Sequence, residues 1–402
     1  MNQEYEFDTL PEKDVQQQTV SEKAAPFVPR EPDPSAWQVD GVKFAVTRGE
    51  QLFIHMVAGF MGVLLVLLVI FYAATAKNWV APSEDASRDQ VESGDTDAGK
   101  KPTPVLPDTA NHPFADGKKG NVLYGNASQV QSVDLSSLGI THTALANVSE
   151  SNILAASGAD EKVYPASLTK VMTLIVAVES LKTESALQDK ITVSQEVYDA
   201  MQDAEASGMG LLPGETLTVE GMLYALMLRS DGVAACELAR YISGSEEAFV
   251  KHMNAKAAAM GLTGTQFMNP TGLHHEEHYS TCRDLATIMG YAMEMSLCRK
   301  IMMTNAFDAE CTREGNTSFE YHIYHNLLET YFKNTYKNLN PATAGKLTVI
   351  AGKTGYTPES KYCLVTAATD ASGKTYVCVT VGADGYENSI KAYQAIYGGY
   401  VG

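Results

Sequence analysis

Phe53–Ala76 reads FIHMVAGFMGVLLVLLVIFYAATA, 24 residues without an Asp, Glu, Lys or Arg. Coiled as a helix, a run of this length crosses the roughly 30 Å hydrocarbon core of a bilayer. A buried core helix or a signal-peptide core would be the competing accounts. The run is too long for a signal core and lies behind some fifty polar residues. A single transmembrane helix is therefore expected at 53–76, and any globular domain must fold on one side of it. Flanking charge does not orient the span: Lys43 and Arg48 precede it and Lys77 and Arg88 follow it.

Composition places the globular part after the span. Residues 1–50 are rich in Gln, Glu and Pro and show no hydrophobic period, as in a disordered tail. Residues 77–121 are loaded with Asp, Ser, Gly, Pro and Lys and are expected to form a flexible linker. That leaves 122–402 for the ordered domain. The chain carries a net charge of -18 and no cluster of Lys and Arg, which argues against a nucleic-acid partner. Its six cysteines, Cys236, Cys282, Cys298, Cys311, Cys363 and Cys378, all follow the span and form no C-x-x-C pair, so a cysteine metal site is not expected. Two readings of them stand. They are free thiols buried as small hydrophobes, or some are bridged, with Cys363 and Cys378 the first pair a hairpin would bring together.

Within 122–402 the hydrophobic period changes twice. THTALANVSESNILAASGADEKVYP reads as two short strands around SES. SLTKVMTLIVAVESLK has apolar residues at helical spacing, with Ser167 placed as an N-cap. GETLTVEGMLYALMLRSDGVAACELARYISG reads as helix, break at Ser230-Asp231-Gly232, helix, and SEEAFVKHMNAKAAAMG as a helix stopped by Gly261. KLTVIAGKTG, KYCLVTAATD and KTYVCVTVGA are three strands, and SIKAYQAIYGGY closes as a helix. Strands at both ends with helices between predict one α+β domain.

Ser167-Leu168-Thr169-Lys170 carries the first chemical signal. Positions i and i+3 share a helix face, so the lysine amine can reach the serine hydroxyl. A serine becomes a strong nucleophile only when a base takes its proton, and a lysine is such a base only when burial or a second cation lowers its pKa. Alone, S-x-x-K is weak evidence. Lys353-Thr354-Gly355 ends a predicted strand, where the cation and hydroxyl could grip a carboxylate while the glycine lets a substrate backbone lie close. Ser230-Asp231-Gly232 falls between them. The set S-x-x-K, then S-D-N, then K-T-G, is made specific by its order and context together, and Ser230-Asp231-Gly232 stands in the second place.

From about His142 onward the chain resembles the D-alanyl-D-alanine carboxypeptidases, the low-molecular-mass penicillin-binding proteins of serine peptidase family S11. PASLTKVMTLIVAVE is similar to the family's nucleophile helix. GMGLLPGETLTVEGMLYALMLRS resembles its approach to the second motif, and MGLTGTQFMNPTGLHHEEHYSTCRDLATI the segment after it. The resemblance implies a β-lactamase/transpeptidase-like fold: an antiparallel sheet flanked by helices, with a helical subdomain. It implies that Ser167 attacks the terminal D-Ala-D-Ala bond, Lys170 takes its proton, and Ser230 passes a proton to the leaving amine. Lys353, Thr354 and Gly355 would bind the stem-peptide carboxylate, and the N–H groups of Ser167 and Tyr356 would form the oxyanion hole. The partners implied are peptidoglycan stem peptides and β-lactam antibiotics, with no metal or organic cofactor. A cell-wall substrate puts the 1–50 tail in the cytoplasm and the peptidase outside. Many relatives carry a second small β domain and a C-terminal membrane anchor; here the N-terminal span is expected to anchor the chain.

One departure bears on activity. The family's second motif usually ends in Asn, and Gly232 stands there. A catalytically impaired wall-binding relative is therefore the main alternative. A β-lactamase ranks behind both, because no Glu-x-x-x-Asn segment lies between Ser230 and Lys353. Asp231 has two readings: a helix cap, or a carboxylate turned inward that alters Lys170. The His274, His275 and His278 group in HHEEH is expected to be a solvated loop, with zinc binding through His275 and His278 as the competitor. The NPTGL stretch reads as a structural turn, and Asp284 as a cap or loop anchor.

Overall fold

The computed structural model describes residues 130–313, 317–325, 343–344 and 346–401. The expected tail, transmembrane helix and linker lie outside the described residues. Among the described residues no helix is long and apolar enough to cross a membrane.

A seven-stranded sheet organises the domain in the order β1-β3-β2-β11-β10-β9-β8. Its strands are β1 (Gln131–Ser132), β2 (His142–Asn147), β3 (Asn152–Ser157), β8 (Thr343–Ala344), β9 (Leu347–Thr357), β10 (Lys361–Thr369) and β11 (Thr375–Ala383). Antiparallel pairing of β11 with β2, from Tyr376↔Asn147 to Val381↔His142, joins the two ends of the domain. The expectation of one α+β sheet built from both ends of the domain is thus met. Among the described residues, only the β1–β3 pair is parallel. The strands KLTVIAGKTG, KYCLVTAATD and KTYVCVTVGA are β9, β10 and β11, with β9 running on to Thr357.

Eight α-helices accompany the sheet among the described residues: α1 (Thr169–Ser180), α2 (Gln195–Asp203), α3 (Val219–Leu228), α4 (Gly232–Ser243), α5 (Glu246–Ala259), α6 (Cys282–Glu294), α7 (Ser296–Met303) and α8 (Tyr386–Tyr400). The closing helix α8 covers one face of the sheet and α6 the other. α1 and α3 are buried almost all round: α3 is apolar along nearly all its length, while α1 also buries Thr169, Lys170, Thr173 and Glu179. The buried amine of Lys256 joins α5 to α1 and α6, donating to Glu179 Oε1 at 2.6 Å and to the Tyr291 hydroxyl at 2.8 Å. An ion pair this deep is tolerated because each charge is hydrogen-bonded.

A second sheet, β4-β5-β6-β7, was not expected from the sequence. It comprises β4 (Lys190–Thr192), β5 (Thr216–Thr218), β6 (Ala306–Arg313) and β7 (Thr317–Tyr324). The β6–β7 hairpin does alternate: Phe307, Ala309 and Cys311 on β6 and Phe319, Tyr321 and Ile323 on β7 are the less exposed positions, with Asp308, Glu310, Glu320 and His322 exposed between them, a period-2 signal that the sequence reading passed over. It is anchored where the buried Glu215 carboxylate meets the Arg313 guanidinium and accepts from the Tyr321 hydroxyl at 2.8 Å.

All six cysteines are free and buried. Cys363 and Cys378 do not form the bridge a hairpin could have allowed. Cys378 sits opposite Thr366, not Cys363, and the two thiols belong to cores on opposite faces of the sheet.

Candidate active site

Ser167 lies in a 3-10 turn, Ala166–Leu168, that runs directly into α1. It does not cap the helix as expected; no side chain caps that end. Its hydroxyl instead accepts from Lys170 Nζ at 3.2 Å, the i, i+3 contact that the spacing predicts. Lys170 is 2% exposed, and its amine also donates to the Thr271 carbonyl at 2.7 Å. Burial pulls its pKa down to about 8, against the Asp231 carboxylate and Cys236, which raise it. A buried lysine with two acceptors and a lowered pKa spends an appreciable fraction of its time neutral near pH 7.

The other two motifs meet on a second lysine. Ser230, at φ 56, occupies the sharp break between α3 and α4. Lys353 Nζ donates to Ser230 Oγ at 2.9 Å and to the Thr354 carbonyl at 2.8 Å. Burial and then the nearby Lys170 hold its pKa well below the usual lysine value. Thr354 is half-buried beside it, and Tyr356 is 53% exposed. Among the described residues, β9 pairs with β8 only at Leu347 and Thr348; the His325 ring meets the Gly352 backbone, and no described strand pairs with Lys353–Thr357 on that side.

Gly355 has a role beyond the one expected. A Cβ there would lie 3.1 Å from the Ser167 nitrogen and 3.2 Å from the Pro165 carbonyl. The missing side chain lets the Ser167 turn press against the strand.

Both readings of Asp231 hold. Its carboxylate caps α4 by accepting from Ala234 N–H at 2.8 Å, and it also accepts from Met209 N–H at 2.8 Å. It is 1% exposed, and its charge acts on Lys170. Burial pushes its own pKa up, while the two amides and the Lys170 amine pull it back. Gly232 faces away from an amide role: a Cβ there would be 2.9 Å from Ala206 Cβ and 3.0 Å from Met201 Sδ. Gly232→Asn is therefore expected to cost about 1–3 kcal/mol of stability by overpacking without raising the acylation rate. Denaturant unfolding and β-lactam acylation of that variant check both halves.

Two contributors escaped the sequence reading. The Asn269–Leu273 turn is built as expected, with Asn269 Oδ1 accepting from Thr271 N–H at 3.2 Å and Gly272 N–H at 2.7 Å. Its Thr271 carbonyl, invisible in a sequence, holds Lys170. The second is His278. The expectation of a solvated histidine loop fits His274 and His275, which are exposed, but not His278, which is buried. Zinc fares no better: among the described residues no group of three His, Cys, Asp or Glu is placed to hold a metal. Asp284 is the loop anchor, accepting from Gly264 N–H and Thr265, while Thr281 caps α6.

A family model described as D-alanyl-D-alanine carboxypeptidase, Peptidase S11, matches residues 129–385. The chain is 34% identical over 237 residues to the D-alanyl-D-alanine carboxypeptidase DacF of Bacillus subtilis, covering 58% of this chain and 54% of that protein. It is also 34% identical over 226 residues to the D-alanyl-D-alanine carboxypeptidase of Streptomyces sp. strain K15, covering 54% of this chain and 72% of that one. The crystal structure of the Streptomyces K15 DD-transpeptidase superposes with a TM-score of 0.57 at 28% identity, over 65% of this chain and 97% of that one. The match thus spans about half the length of the Bacillus relative and nearly all of the Streptomyces structure. The α+β fold of sheets flanked by helices is the one that structure shares, and the chain belongs to the Peptidase S11 family of D-alanyl-D-alanine carboxypeptidases.

Proposed function

We propose that this chain is a membrane-anchored serine carboxypeptidase that removes the terminal D-Ala from peptidoglycan stem pentapeptides. The observation that carries the reading is the buried Lys170 amine, 3.2 Å from the Ser167 hydroxyl, with its pKa lowered to about 8. Lys170 takes the Ser167 proton as Oγ attacks the carbonyl of the D-Ala-D-Ala bond. The carbonyl oxygen becomes an oxyanion facing the N–H groups of Ser167 and Tyr356. The close contact of Gly355 with the Ser167 nitrogen supports that pairing. When the C–N bond breaks, the leaving amine receives a proton through Ser230, and free D-Ala departs. Water then hydrolyses the Ser167 ester to give the tetrapeptide. Lys353 and Thr354, where no described strand pairs with that side of β9, bind the terminal carboxylate. β-Lactams acylate the same serine, and the mechanism calls on no metal or organic cofactor.

Anchoring rests on the uncharged run at 53–76. A wall substrate places the 1–50 tail in the cytoplasm and the peptidase domain outside the membrane. The impaired alternative drew on Gly232, but the Lys170 and Lys353 contacts form without a side chain at that position. The test is D-alanine release from a peptide ending in D-Ala-D-Ala, by the full chain in detergent. Many turnovers per protein molecule are expected. Covalent labelling by penicillin without peptide turnover would instead establish the impaired relative.

A further inference from the structure

His278 is a buried ionisable group at the first turn of the nucleophile helix that the proposed mechanism leaves unused. It is 2% exposed and touches two elements. Met268 N–H donates to its Nδ1 at 3.3 Å, and its Nε2 lies 2.9 Å from Thr169 Oγ1. The Phe267 ring packs edge-on at 5.6 Å between centroids. A backbone N–H can only donate, so Nδ1 is the unprotonated nitrogen and Nε2 carries the hydrogen. Nε2–H therefore donates to Thr169. This tautomer is assigned from the hydrogen-bond pattern.

The two partners are not equivalent. Thr169 lies in the first turn of α1, between Ser167 and Lys170. Met268 opens the segment that continues through Pro270 and Thr271. That segment is fastened to α1 twice more: Thr173 Oγ1 donates to the Pro270 carbonyl at 2.7 Å, and Lys170 Nζ to the Thr271 carbonyl at 2.7 Å. Gly272 then packs directly against the Ala166 carbonyl. The histidine is thus the first of three rungs, and the third rung is the hydrogen bond that aims the general base.

We propose that His278, held as its Nε2–H tautomer, is a positioning residue that fixes the Met268–Thr271 segment to the nucleophile helix and so keeps the Thr271 carbonyl on Lys170. The proposal rests on the Ser167–Lys170 reading and deepens it. An imidazolium would set a second N–H against the Met268 amide. Burial, followed by His275, His274 and Lys170, lowers the His278 pKa to about 4, so the neutral tautomer persists through the working pH range.

Replacing single atoms of the latch tests it. His278→Gln retains a donor within reach of Thr169, His278→Asn retains only an acceptor for Met268, and Thr169→Val removes the acceptor while preserving shape. Acylation of the full-length protein by a chromogenic cephalosporin separates the noncovalent binding constant from the acylation rate constant, and thermal unfolding is followed alongside. His278→Asn and Thr169→Val are each expected to slow acylation on the order of 100-fold, the cost of a misplaced catalytic group. Binding should be unchanged, the double variant no slower than either single one, and His278→Gln, which keeps the Thr169 end of the bridge but loses the Met268 end, about as slow as His278→Asn. A loss confined to binding or to thermal stability, or a Thr169→Val protein that acylates normally, would overturn the proposal. If the wild-type protein is not acylated at all, it is the Ser167 reading that fails.

Discussion

Replacing Lys170 with Met is expected to slow acylation by roughly 10³- to 10⁴-fold, the upper part of the range for loss of a general base. The thioether chain fills nearly the same volume and removes a buried amine, so folding should survive the change. What disappears is the amine proposed to receive the Ser167 proton. The pH profile gives the sharper signature. Only the neutral amine can accept a proton, and the pKa of Lys170 lies at about 8. Acylation of the wild type should therefore rise about tenfold per pH unit below that value and level off above it. The Lys170→Met protein should show no such limb. A substrate carboxylate beside Lys353 favours the charged form of that lysine, and this charge lowers Lys170 further. The limb should consequently sit at lower pH in kcat than in kcat/KM. Rates measured on both sides of the shifted pKa check this, and an acidic limb retained in the variant would assign the base elsewhere.

Gly272→Ala should have the largest effect on stability, about 4 kcal/mol, through the combination of backbone strain and overpacking. Its φ is +84, and an added Cβ would lie 1.9 Å from the Ala166 carbonyl oxygen and 2.9 Å from the Ser167 nitrogen. These are backbone atoms, so no rotamer change relieves the clash. The turn has to retreat, taking the Thr271 carbonyl away from Lys170 and loosening the support behind Ala166, whose own φ is +47. Acylation is expected to fall with stability. Denaturant unfolding and β-lactam acylation measure the two losses, and a variant within about 1 kcal/mol of wild type with normal acylation would contradict this account of the turn.

Much of the site was legible because its signals are local. Ser167 and Lys170 meet through helix periodicity alone. The three C-terminal strands announce themselves by period and by their turns, so Lys353 could be placed at a strand end. What stayed hidden depends on contacts between distant segments or on backbone atoms. The Thr271 carbonyl has no letter in a sequence. Gly355 looked like room for substrate, but its bare side faces the Ser167 nitrogen, which only the packing of the Ala166–Leu168 turn on the strand reveals. Gly232 looked like a lost amide, yet its Cβ direction leads into Met201 and Ala206. His278 shares a polar, acidic stretch with His274 and His275, and composition gave no reason to bury one of the three. The β6–β7 hairpin is a different case: Phe307, Ala309, Cys311 and Phe319, Tyr321, Ile323 alternate with polar residues as strands do, so that signal was in the sequence and went unread.

The central claim is that Ser167, activated by Lys170, is the nucleophile. The direct measurement is to incubate the full-length protein with penicillin, digest it, and locate the added mass by tandem mass spectrometry. One penicilloyl group per chain is expected, on the peptide containing Ser167, and none in Ser167→Ala. An adduct on another serine, or a folded wild-type protein that acquires no adduct, would contradict it.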